Sequence, residues 1–288
     1  MTWAETIELI RTKPDYKDLV RLAYFDADLQ ANVRRFGENI EYKETLSLIR
    51  SHHPEAKSIL DIGSGNGISA VNFALTGFKV TALEPDTSNT IGAGAIRILK
   101  EQYKLDNLDI VSSYAEDMNF QDDKFDVVYM RQAMHHANDL QKFVKESIGA
   151  LKLGGLFVSV RDHVIFSPKD KDWFLTNHPL HKFYGGENAY SPDEYRNAIE
   201  QAGAQVIEEF KYFDHIINYH SMPEENIEKL HRAYIIKVRK QFNNKFGVFA
   251  KLPFSFQIYK LLKPIDIRAG LDERKIPGRL YTYIARKS

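Results

Sequence analysis

The stretch Ser58 to Gly67, Ser-Ile-Leu-Asp-Ile-Gly-Ser-Gly-Asn-Gly, constrains this chain more than any other. Ser58 to Ile62 is short and apolar except for Asp61, the pattern of a buried parallel strand. Gly63, Gly65 and Gly67 then take alternate positions. Glycine lets the backbone turn tightly with positive φ and lets a ligand approach the main chain. Ser69 to Leu75 follows as a predicted helix. Strand, glycine turn and helix make the first unit of a nucleotide-binding α/β fold, with the ligand over the turn at the carboxyl end of the strand.

The same alternation continues to residue 163. Strands are predicted at Lys79–Pro85, Leu108–Ser112, Lys124–Met130 and Leu156–Val160. Helices are predicted at Asn89–Tyr103 and Asn138–Leu151, with Gly154 as a left-handed helix cap. This pattern predicts a parallel sheet covered on both faces. Polar residues gather where such sheets bind ligands, at the carboxyl ends of strands. These are Asp61, then Glu84, then Arg131 and Gln132 with His135 and His136, then Arg161, Asp162 and His163. Glu84, 17 residues beyond Gly67, stands where an acid accepts hydrogen bonds from ribose hydroxyls; the plainer reading is a solvated strand-end acid. Asp162 either orients a histidine or pairs with Arg161.

Three segments depart from this core. Residues 1–55 read as a helical N-terminal arm, either packed on the core or acting as a lid whose Tyr24 and Arg35 reach a ligand. The core is expected to span 56–213 plus 276–288, with an acceptor-side insertion at 164–192. That insertion is rich in aromatics, histidines and glycines, including His178, His181, Tyr184, Glu187 and Asn188. Ser191-Pro192-Asp193-Glu194 then starts a well-capped helix, and Gln205–Phe213 and Gly278–Arg286 read as further strands. Residues 214–275 form a helical cap insertion with a helix from Pro223 to Phe242. Within the cap, Lys229 to Ile265 carries nine Lys or Arg and no Asp or Glu. Basic residues interleaved with Phe, Leu and Ile suit peripheral contact with an anionic membrane, or else a cap whose charges are simply solvated.

Composition narrows the function. Lys plus Arg equal Asp plus Glu at 39 each, so no global field attracts nucleic acid, and no nucleic-acid partner is expected. The absence of cysteine removes disulfides, thiolate metal sites and Cys nucleophiles. His178 and His181 raise a metal question, but Pro179 breaks the helix that would align them and no dense carboxylate cluster accompanies them, so no metal is expected. The N-terminus lacks a signal-peptide pattern and no apolar run spans a bilayer, which points to the cytoplasm, with any membrane contact peripheral to its inner face.

The chain resembles the class I S-adenosylmethionine-dependent methyltransferases. The residues that carry the resemblance are Leu60–Gly67, Glu84, Ala115-Glu116-Asp117, Phe125–Val128 and Leu151–Gly155, in that order. It covers residues 56–163 closely, and 191–213 and 278–287 more loosely. It implies a Rossmann-like seven-stranded α/β sheet with the last strand antiparallel and S-adenosyl-L-methionine as cofactor. It also implies that the backbone of Gly63, Ser64, Gly65, Asn66 and Gly67 passes under the methionine moiety, with Asp61 near its amino group. Glu84, with Pro85 beside it, would hold the ribose. Asp117 would accept from the adenine amine, Ala115 and Glu116 would flank the ring, and Arg131 and Gln132 would line the methionine end. A dinucleotide dehydrogenase prefers Gly-x-Gly-x-x-Gly, which is not the spacing here.

A hydroxyl acceptor needs a base, and histidine serves near neutral pH. His135, His136 and His163 are the candidates. His178, His181, Tyr184, Glu187 and Asn188 are candidate acceptor-binding residues. The stretch His178 to Asn188, with Gly278-Arg279-Leu280-Tyr281, looks like a bacterial methyltransferase subgroup associated with polysaccharide and secondary-metabolite gene clusters. That implies O-methylation of a sugar, a glycan-linked acceptor or another small hydroxyl compound. A lipophilic acceptor such as a quinone is the alternative within the enzyme class, and a non-catalytic cofactor-binding partner subunit the alternative outside it. The Asn-Pro-Pro-Tyr motif of amino-directed nucleic-acid methyltransferases is absent.

Overall fold

The structure is a computed structural model that describes residues 1–118, 120, 124–222, 224–263, 272–276 and 278–288. Asn119 of the acidic loop, Pro223 at the predicted cap-helix start, and Pro264 and Ile265 at the end of the basic segment lie outside these.

The arm contains α1 (Trp3–Arg11), α2 (Lys17–Leu22), α3 (Leu29–Glu38) and α4 (Ile40–His52). Each start has a chemical cause. Thr2 and Glu5 close a capping box on α1, while Asp28 and Asn39 cap α3 and α4 through their side-chain oxygens. The core follows as β1 (Ser58–Ile62), α5 (Ile68–Leu75), β2 (Lys79–Leu83), α6 (Ala93–Tyr103), β3 (Leu108–Val111), β4 (Phe125–Arg131), α7 (Leu140–Gly149) and β5 (Leu151–His163). After α8 (Pro168–Asn177) and α9 (His181–Tyr184) come α10 (Pro192–Gln201) and β6 (Ala204–Phe210). Then come α11 (Ile216–Tyr219), α12 (Glu224–Phe246), α13 (Ser255–Leu262) and β7 (Leu280–Lys287).

The strands join in the order β3-β2-β1-β4-β5-β7-β6. Strands β1 to β5 run parallel, and β7 runs antiparallel to both β5 and β6. This is the seven-stranded sheet with an antiparallel last strand that the sequence predicts. The order reverses between β1 and β4, and such a switch point opens a crevice beyond the strand ends. Two apolar clusters flank the sheet. One holds Leu60, Val128, Phe157 and Tyr283 against α7 and α10; the other holds Ile59, Val127, Tyr129 and Val158 against α3, α4 and α5. Asp126 ties the lower edge of β4 to β1, accepting from the backbone N–H groups of Lys57 and Ser58 at 2.9 Å each.

Several expectations need correction. Helix α6 begins at Ala93, because Asp86, Ser88 and Gly92 first make a tight turn in which Asp86 Oδ1 accepts from Ser88 N at 2.7 Å. Gly154 is not a helix cap. Helix α7 stops at Gly149, β5 begins at once with Leu151 opposite Phe125, and Gly154 supplies a positive φ of 75° within an irregular stretch of that strand. Residues 216–219 belong to the core: Ile217 and Asn218 are fully buried, and Asn218 Nδ2 donates to the carbonyls of Phe210 and Lys211. The cap helix extends to Phe246, four residues beyond its predicted end, and Val238 and Phe242 are its buried side chains among the described residues, Phe242 meeting the rings of Phe246, Phe256 and Tyr259.

Candidate active site

Beyond β1 the chain passes through three left-handed glycines, with φ of 67° at Gly63, 55° at Gly65 and 83° at Gly67. A Cβ on Gly63 would lie 2.8 Å from Ala133 Cβ, so two loops approach here as only glycine allows. The turn floors a cavity of 690 Å³ lined by all five parallel-strand ends, the arm and α9. That volume is in the range of small-molecule and cofactor sites.

Of the residues expected to hold the cofactor, Asp61, Gly63, Ser64, Gly65, Asn66, Glu84, Pro85, Ala115, Glu116, Arg131 and Gln132 all line it. Asp61 is buried and its Oδ2 makes no hydrogen bond among the described residues; burial pushes its carboxyl up to about 7. Glu84 is pushed to about 7 as well, chiefly by burial, although it accepts from Gly65 N at 2.7 Å and Asp86 N at 2.9 Å. Each of its oxygens keeps a lone pair for a further donor. An orphaned carboxylate oxygen suits an ammonium group and an under-used carboxylate suits a vicinal diol, so these residues fit the amino-acid and ribose ends of S-adenosylmethionine.

Other predicted residues sit elsewhere. Gly67 leaves the cavity wall to become the N-cap of α5 against Ile96. Asp117 turns outward to Lys142 Nζ at 3.2 Å, leaving Glu116, which accepts from Asn138 N, as the acid on the lining. Tyr24 packs edge-on to Phe36 and gives its carbonyl to Asn66 Nδ2 at 2.7 Å; Arg35 pairs with Asp26. Neither lines the cavity. The arm reaches it instead through Trp3, Leu19, Ala23 and Phe25. His181 and Asn188 also lie off the lining, with Asn188 Oδ1 accepting from Ala189 N.

The far end of the cavity collects His135, His136, His163, His178, Tyr184 and Glu187. Asp162 does orient a histidine: its Oδ1 accepts from His135 Nδ1 at 2.9 Å and from His135 N at 3.0 Å, while Ser159 donates to Oδ2. His135 Nε2 faces Glu187 Oε2 at 3.4 Å, and Tyr184 donates to Oε1 of the same carboxylate. His136 Nδ1 meets Gly186 O at 2.9 Å and His163 Nδ1 meets Gly278 O at 3.2 Å. Burial alone would lower the pKa of His135, but Asp162 and Glu187 outweigh it and hold the ring up at about 9. Burial, with His135 nearby, drives His163 well below the ordinary histidine range.

Glu41 was not singled out in the sequence. It is fully buried and meets Arg131 Nη2 at 3.2 Å, Arg161 Nε at 3.7 Å and His220 Nε2 at 3.5 Å. Burial alone would raise its pKa, but Arg131 and Arg161 outweigh that and hold it low. Through Arg131, whose guanidinium lies over the Tyr24 and Phe36 rings, α4 steadies the end of β4. The only sequence signal was an acid on the inner face of an amphipathic helix.

Residues 60–159 match the methyltransferase-domain family. The chain is 32% identical over 119 residues to the methyltransferase YcgJ of Bacillus subtilis, covering 39% of this chain and 42% of that protein. It is 28% identical over 167 residues to a ubiquinone biosynthesis O-methyltransferase of Methylobacterium nodulans, covering 54% and 62%. The matches thus span about half the length of these curated relatives. Among solved structures, YcgJ superposes with a TM-score of 0.52 at 20% identity, covering 85% of this chain and 98% of that one. A geranyl diphosphate methyltransferase solved with S-adenosylmethionine superposes with a TM-score of 0.54 at 15% identity, covering 90% and 88%. Residues 60–159 thus carry a methyltransferase-domain match, and the sheet around them has the fold of these solved methyltransferases. In this chain the domain carries a helical arm on its N-terminal side and a cap between β6 and β7.

Proposed function

We propose that the protein transfers a methyl group from S-adenosylmethionine to the hydroxyl of a small acceptor, a sugar, glycan-linked or similar polar compound. The observation that carries this reading is the polar acceptor end of the cavity, where His135, His136, His163, His178, Tyr184 and Glu187 converge beyond the glycine turn. Asp61, the Gly63–Asn66 backbone, Glu84 and Glu116 would hold the cofactor. When bound, it supplies a methyl carbon already activated by the sulfonium, so the protein aligns the acceptor and removes its proton.

Of the three strand-end histidines, His136 is the best-placed base. Gly186 O fixes its Nδ1–H, and its Nε2 makes no hydrogen bond among the described residues, whereas His135 is engaged on both sides by Asp162 and Glu187. A lipophilic acceptor such as a quinone is the second reading, favoured by the apolar wall of Trp3, Leu19, Phe25 and Leu180.

Release of label from methyl-labelled cofactor onto polar and apolar acceptor panels separates the two. Substituting His135, His136 and His163 singly by Ala should retain cofactor binding, with His136→Ala losing the most transfer, about 100-fold. Unchanged turnover in all three would remove the histidine base. Cofactor binding without transfer to any acceptor would favour a non-catalytic partner subunit.

A further inference from the structure

His135, His163 and Glu187 each bring a ligating atom to within 4.8 Å of the other two. They come from the turn after β4, the end of β5 and the loop after α9. We propose that they form a binding site for one divalent first-row cation, of the Zn²⁺ or Fe²⁺ type, at the acceptor end of the cavity.

Two atoms bound tetrahedrally at ~2.1 Å from one ion lie about 3.4 Å apart. His135 Nε2 and Glu187 Oε2 are 3.4 Å apart as an ion pair, and Glu187 Oε2 makes no hydrogen bond among the described residues although its side chain is only 5% exposed. The imidazole nitrogen and the carboxylate oxygen that face each other here as an ion pair thus already stand at the separation of two ligands on one ion. His178 Nδ1, likewise buried and without a hydrogen bond, lies 3.5 Å from Glu187 Oε1 and is placed to join the set.

The surroundings match what metal-ligating histidines need. Each should give its other ring nitrogen to an oxygen acceptor, which fixes tautomer and orientation. His135 Nδ1 is held by the Asp162 carboxylate and His163 Nδ1 by the Gly278 carbonyl, so both would ligate through Nε2, with His135 Nε2 exchanging its ion pair with Glu187 for a shared cation. Two histidines and one carboxylate are the donor set of zinc hydrolases and of non-haem iron sites, both of which keep an open position. Here that position opens on the cavity. The expectation that metal is absent rested on Pro179 separating His178 from His181, whereas the structure draws its ligands from other segments.

The role of the cation rests on the proposed methyl transfer to a hydroxyl. It would make an acceptor hydroxyl at the open position more acidic, leaving His136 to take the proton. Asp162 is a positioning residue in this arrangement, since it acts through His135.

The test is the full-length protein stripped with chelator and titrated with Zn²⁺, and with Fe²⁺ under anaerobic conditions. Cofactor binding, measured in parallel, serves as the control for folding and for the methyltransferase reading. One equivalent is expected to bind. Glu187→Gln should weaken it at least 100-fold, and Asp162→Asn about 10–100-fold, with cofactor affinity within about twofold of wild type. If Glu187→Gln loses cofactor binding too, His163→Asn decides in the same way. Less than a tenth of an equivalent of either ion bound, or binding that none of the variants alters, would overturn the proposal while leaving the cofactor reading to stand on its own measurement.

Discussion

Glu41 illustrates how a residue can be indispensable without being legible. Its carboxylate has no exposed surface and answers Arg131, Arg161 and His220. Removing one partner of a buried ion pair leaves an uncompensated charge and costs about 3–5 kcal/mol. Glu41→Gln should therefore lower unfolding free energy by about that amount in urea titrations. A loss below about 1 kcal/mol would mean that the arginines find water instead. Glu84 carries a different prediction. Burial holds its carboxyl near 7 in the free protein, yet hydroxyl donors favour the charged form. The deprotonated protein is the binding form, so affinity for S-adenosylmethionine is full above about pH 7 and falls as pH drops, by about tenfold per unit for this one group. Glu84→Gln should bind more weakly and lose most of that slope; a variant with the wild-type slope would assign the titration to Asp61. Glu84 and Asp61 were readable in the sequence because each ends a strand beside the glycine turn. Asp117 lies off the lining because neighbouring acids in a one-turn helix point in different directions, and spacing does not say which faces inward.

The elements divide by what made them readable. Strands β1 to β5 were found because each is a short apolar run bounded by turn residues, and α10 because Ser191, Pro192 and Glu194 spell its start. The cap is measurable: Ser191→Ala removes the hydroxyl that accepts from Glu194 N, while the backbone N–H of residue 191 still donates to the Glu194 carboxylate, and should cost about 1 kcal/mol, seen as a shift in Tm without loss of cofactor binding. An unchanged Tm would mean that Pro192 and the packing of Tyr195 suffice. Gly154 misled because helix α7 and strand β5 abut with no loop between them, so a glycine inside a strand resembled a helix terminator. The arm was recognised as helical, but the residues that reach the cavity, Trp3, Leu19 and Phe25, were not. A helix of several amphipathic turns presents many apolar residues, and only tertiary contacts select which of them meet the ligand.

At the scale of the molecule, the cap between β6 and β7 stands apart from the well-buried core. Val248, Phe249, Leu252, Phe254, Ile258, Leu261 and Leu262 are all more than half exposed, with Lys245, Lys251, Lys260 and Lys263 among them. Such a surface suits an anionic bilayer, at about 1 kcal/mol per basic residue near the lipid. Among the described residues no helix is long and apolar enough to cross a membrane. Vesicles containing anionic lipid should sediment the protein at low salt, and Phe249→Ser with Leu261→Ser should release it; failure to sediment would return the cap to a solvated role. The cap's long helix was legible from its periodicity, but α13 and the exposure of the segment were not, because amphipathic spacing shows an apolar face without showing what covers it. The account's central claim lies in the cavity that the core and arm build together. Calorimetric titration of the protein with S-adenosylmethionine tests it most directly. One site of micromolar affinity is expected, weakened at least tenfold in Glu84→Ala. No binding of S-adenosylmethionine between about pH 6 and 9, with NAD bound in its place, would contradict it.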